Sequence, residues 1–81
     1  DMGEAERGLS GLRKLERIVR EQNPESLDHA AILETMGRLR LSLGERPQAA
    51  ELFRRALAIY ETAWRDEPEL IAGKRRELLG G

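Results

Sequence analysis

The chain has 81 residues, a length that sustains one small domain with a marginal core and excludes a multi-domain assembly. Charged residues are 36% of it and aromatics only 4%, with Ala, Glu, Leu and Arg prominent, which is the composition of helices. A formal net charge of −1 disfavours a general binder of nucleic acid or anionic membrane, and the absence of cysteine excludes disulfides and thiolate metal sites.

Apolar residues at Leu9, Leu12, Leu15, Ile18 and Val19 advance in steps of three and four, so they predict a first helix with one buried face. Glu16 to Arg20 and Arg17 to Glu21 are spaced to pair on its solvent side. Gly3, Gly8 and Gly11 each cost about 1 kcal/mol relative to Ala, so the stretch before Ser10 is expected to fray. Asn23-Pro24 ends this helix. Ser26 or Asp28 can cap a second helix, from about Ser26 to Leu43, with Ala30, Leu33, Met36, Gly37, Leu41 and Leu43 along it and Gly44 as its stop. Pro47 suits the first turn of a third helix, and the short link before it forces an antiparallel hairpin. That helix has the widest apolar stripe, from Ala49, Leu52 and Phe53 through Ala56, Leu57, Ile59 and Tyr60 to Ala63 and Trp64. Trp64 is read as core. Pro68 opens a last helix through Leu70, Ile71, Leu78 and Leu79, with Lys74, Arg75 and Arg76 near its C-terminal end. The expected fold is all-α, three or four helices in one domain over residues 1–81.

Small Gly37, Ala49 and Ala56 with bulky Phe53 allow two antiparallel helices to approach closely. This pattern resembles the tetratricopeptide repeat, with Leu33 at the family's usual Trp place, Met36 at the Leu, and Gly37, Ala49, Phe53 and Ala56 at their own types. Gly44 matches the turn glycine, whereas Arg40 and Arg46 stand where the family has Tyr, and Glu61 stands near its terminal Pro. Pro68 lies further out, and Ala56-Leu-Ala-Ile-Tyr60-Glu is similar to the second helix of the long-repeat variant seen in kinesin light chains. Leu79-Gly80 repeats Met36-Gly37 after 43 residues, and Leu12, Leu15 and Ile18 precede Phe53, Ala56 and Ile59 by 41. The resemblance implies about one complete repeat, 26–65, with flanking helices, in a right-handed α-solenoid segment of antiparallel hairpins. Because numbering opens on Asp1, a fragment of a longer protein is the expectation.

The resemblance also implies that the second helix lines a concave groove, through Ala31, Glu34, Arg38, Leu41 and Ser42. On the functional reading Arg38 receives an acidic group of a bound peptide, while Ala31 and Leu41 offer apolar contact. On the structural reading Glu34 and Arg38 pair with each other. Glu34 has the wrong charge for the carboxylate-clamp subclass, so a chaperone adaptor is not expected. His29 is the single histidine and is expected as a surface or helix-start residue rather than a metal ligand. Ser10, Ser26 and Ser42 lack a nucleophile's context, so no catalytic, cofactor or metal site is expected.

The function expected is therefore a non-catalytic protein-protein interaction module that binds a peptide or helix of a partner or self-associates as a homo-oligomer. The alternative is an Arg-rich nucleic-acid-binding domain using Arg54-Arg55 and Lys74-Arg75-Arg76, balanced against Glu51, Glu69 and Glu77. Without a long apolar stretch or signal-peptide pattern, the expected setting is soluble and cytoplasmic, with no membrane partner.

Overall fold

Four helices account for nearly all of the chain in the computed structural model, which describes residues 2–80: α1 (Met2–Gln22), α2 (Leu27–Ser42), α3 (Arg46–Ala63) and α4 (Pro68–Leu79). Among the described residues there is no strand. Helix α1 reaches further toward the N-terminus than the glycines implied, because Ala5 and Leu9 are buried and hold its first turns in place. Gly8 serves that packing directly, since a Cβ there would lie 3.2 Å from Leu39 Cδ1 of α2. Tertiary burial outweighs the intrinsic cost of glycine in that stretch.

The ends of the helices follow local chemistry. Ser26, in extended backbone, accepts the His29 amide on its Oγ at 3.1 Å and caps α2. At the other end Gly44 takes φ +77, its N–H reaching the Leu41 carbonyl and that of Glu45 the Arg40 carbonyl, so the exposed carbonyls of the last turn are satisfied. Pro47 and Pro68 sit in the first turns of α3 and α4, where an amide would have no intrahelical partner.

Consecutive helices are antiparallel. Gly8 meets Leu39 and Glu16 meets His29 across α1 and α2, and Gly37 meets Phe53 and Glu34 meets Tyr60 across α2 and α3; Glu34 and Arg38 of α2 meet Lys74 and Glu77 of α4 in the same order, which sets α4 antiparallel to α3. Helix α2 packs most extensively on α3, less on α1, and α4 packs on α3. The tightest approach is at Gly37, where an added Cβ would fall 2.5 Å from a Phe53 ring carbon. Ala49 and Ala56 are wholly buried in the same seam, with Leu33 at 1% exposure. A continuous core thus runs from Leu9 through the α2–α3 seam to Leu78. The result is a slab with extents of 40 × 31 × 15 Å.

Two expected core positions lie elsewhere. Leu15 is 46% exposed and Ile18 51%, because α2 covers only the Leu9, Leu12 and Val19 side of α1. Trp64 is half-buried and stacks on Tyr60 with ring centroids 4.5 Å apart.

Candidate functional site

Helices α2 and α4 run in the same direction, each antiparallel to α3, and their long side chains meet on one face of the slab. Lys74 Nζ lies 2.9 Å from Glu34 Oε1, and Arg38 donates from Nη2 to Glu34 Oε2 at 2.8 Å and to Glu77 Oε1 at 2.7 Å. Tyr60 of α3 rises between them, donating its hydroxyl to Glu34 Oε1 at 3.0 Å, and Lys74 sits 5.3 Å from the centre of its ring. Burial pushes the Glu34 carboxyl up, but hydrogen bonds from Arg38, Lys74 and Tyr60 together outweigh it and hold the group below its ordinary value. Burial, and then the Glu34 carboxylate, push the Tyr60 phenol up to about 12. Glu34 is therefore a charged anchor for three helices, and Arg38 is held by carboxylates of both α2 and α4.

The residues named from sequence occupy this face unequally. Glu34 and Arg38 form its polar centre, while Leu41 is 46% exposed beyond them. Ser42 is exposed and turns its hydroxyl back to the Leu39 carbonyl at 2.7 Å. Ala31 is exposed and also lines a notch toward α1 with Leu15, Val19, Asp28 and Ile32. Leu27 precedes Glu34 by seven residues and Leu70 precedes Glu77 by seven, so helical periodicity puts both on the α2–α4 face; they are 44% and 50% exposed. Leu27 was missed in the sequence because it opens a helix, before a period is established, whereas Leu70 was read only as part of the last helix's apolar stripe.

A second polar cluster lies across the molecule, where Glu16 and His29 are 7% and 4% exposed. His29 Nε2 is 2.7 Å from Glu16 Oε2 and Nδ1 is 2.6 Å from the Pro24 carbonyl oxygen. A carbonyl only accepts, so Nδ1 donates to Pro24, and a single proton lies between Nε2 and Glu16. Arg55 of α3 at 3.5 Å and Arg20 at 3.6 Å add positive charge around the carboxylate. His29 is thus at a helix start but not at the surface, and Glu16 does not face solvent with Arg20 as its spacing suggested. The cluster is closed and structural: no buried side-chain N or O among the described residues lacks a partner.

Most of the cations considered for phosphate contact are held by acids. Arg54 pairs with Glu51 at 3.0 Å, Arg55 with Glu16, Lys74 with Glu34, and Arg75 with Glu61. Among the described residues, no three His, Asp or Glu side chains gather as a metal site, and no helix is long and apolar enough to cross a membrane. No family model, curated protein or solved structure matches this chain.

Proposed function

We propose that this chain is a non-catalytic, tetratricopeptide-like protein-interaction module whose α2–α4 face receives a peptide or helix of a partner protein. The observation that carries the reading is the pairing of two parallel helices by Glu34, Arg38, Lys74 and Glu77, with Leu27, Leu41 and Leu70 left exposed beside the bridge. The bridge fixes the spacing of the two helices before any partner arrives, which lowers the ordering cost of binding. Leucines flanking it offer apolar anchors, and Arg38, 51% exposed and using one nitrogen for both of its carboxylates, keeps further N–H groups for an acidic side chain of the partner. A right-handed solenoid of antiparallel hairpins is the arrangement this reading assigns to the four helices. It is preferred to nucleic-acid binding because carboxylates engage Arg54, Arg55, Lys74 and Arg75.

Selection of binders from a displayed library of random peptides tests it. The expected binders lose about tenfold or more in affinity when Leu41→Lys and Leu70→Lys are combined, as for central apolar anchors, and are unaffected by Ile18→Arg on α1. A selection that returns no binder, or binders indifferent to the double substitution, refutes the assignment of this face.

A further inference from the structure

The notch between α1 and α2 is an apolar surface that no described element covers. Val19, Ala31 and Ile32 line it with Leu15, Asp28 stands on its rim, and half-exposed Ile18 continues its α1 wall. Gly11 shares that side of α1, four residues before Leu15 and seven before Ile18. A Cβ added at Gly11 would meet nothing within 4 Å, so packing inside the chain does not require this glycine, in contrast to Gly37. A glycine there leaves room for the close approach of another backbone.

The internal echo of the sequence says which helix fits. Leu12, Leu15 and Ile18 stand 41 residues before Phe53, Ala56 and Ile59, all buried, and Phe53 packs on Gly37 of α2. Leu12 packs on the core beneath α2, so Leu15 and Ile18 are the part of this α3-like face that no helix covers. Helix α4 carries the complementary half: Gly73, Leu79 and Gly80 stand 43 residues after Ala30, Met36 and Gly37. Ala30 and Met36 are buried, whereas Leu79 is 44% exposed and a Cβ at Gly73 would meet open space. Arg76 stands where the echo has buried Leu33 and makes no ion pair among the described residues; it brings a positive charge toward the Asp28 rim.

We infer that α4 of one copy docks in the α1–α2 notch of a second copy, building between two chains the hairpin that α2 and α3 build within one. This rests on the interaction-module reading and names a second copy as the partner for a surface separate from Leu41 and Leu70. The contact is head-to-tail, so copies add in a row. Its length is limited by the 12 residues of α4, about 18 Å at ~1.5 Å per residue. That sets it at the low end of protein interfaces, with half-association between about 10 μM and about 1 mM.

Sedimentation equilibrium over that range tests the inference on the full chain, with circular dichroism to verify folding of each variant. Ile18→Arg blocks the notch and Leu79→Arg blocks the docking helix; each alone is expected to be monomeric. Mixed, they regain one dimer and no larger species, because each supplies the surface the other lacks. Arg76→Glu, which sets a like charge toward the Asp28 rim, is expected to weaken association about tenfold. If Ile18→Arg fails to fold, Leu15→Lys takes its place as the notch block. A concentration-independent monomer, association that survives either single block, or no dimer on mixing overturns the inference. The peptide selection is read on Leu41 and Leu70, with Ile18→Arg only as its control, so either result stands without the other.

Discussion

Gly37 and Gly11 both lie inside helices, yet opposite outcomes are expected when each becomes alanine. At Gly37 the new methyl meets the Phe53 ring at 2.5 Å, in a seam where Phe53 is 5% exposed and Ala49 and Ala56 are wholly buried. Overpacking of about 1–3 kcal/mol exceeds the helix-propensity gain of about 1 kcal/mol, so Gly37→Ala is expected to lower stability in urea denaturation. At Gly11 only the propensity gain applies, and the midpoint should rise. Glu34 and Tyr60 predict a pH dependence. The fold favours ionised Glu34, so its contribution is complete above the carboxyl's unfolded range and is lost as pH falls through that range toward the lower folded value. The fold favours the neutral Tyr60 phenol, whose contribution is complete below pH 10.0 and is lost as pH rises toward about 12. Urea midpoints across pH should show an acid limb flattened in Glu34→Gln and an alkaline limb reduced in Tyr60→Phe.

Between helices, the Glu16–His29 contact ties α1 to α2 and, through Arg55, to α3. His29→Ala would leave Glu16 buried with only the longer Arg20 and Arg55 contacts, at a cost of about 3 kcal/mol in urea denaturation. Arg20→Ala should cost less than about 0.5 kcal/mol, because that side chain is 49% exposed and its contact is 3.6 Å. Equal losses from the two substitutions would contradict the role given to the buried pair. The four helices and the α2–α3 seam were legible in the sequence because periodicity, Ser26, Gly44 and the prolines act locally. The pair was not: Glu16 carries the polar signature of a solvent face, and its partner is 13 residues away, chosen by the angle at which α1 crosses α2. The same limit hid the exposure of Leu15 and Ile18, since a periodic stripe states which face is apolar but not how much of it a neighbour covers. Within the candidate site, the Glu34–Arg38 spacing was readable, whereas Lys74, Glu77 and Tyr60 join it only through the fold.

At the scale of the molecule, extensive packing joins only helices that are consecutive in the chain, α1 with α2, α2 with α3 and α3 with α4. Contacts so local in sequence predict fast folding, in a single phase of milliseconds or less measured by rapid-mixing fluorescence of Trp64. A dominant phase of seconds would contradict this. The bridges from α2 to α4 and from α1 to α3 are made by the ends of long side chains, so they brace the row without merging its helices into one block. Under tension this arrangement has a distinctive mechanical consequence. A load applied at the two ends would strip the outer helices first, α4 giving way before α1 because Leu78 is its only buried residue, while the Gly37–Phe53 seam holds as the final latch. The protein would lengthen in discrete steps, each releasing one helix.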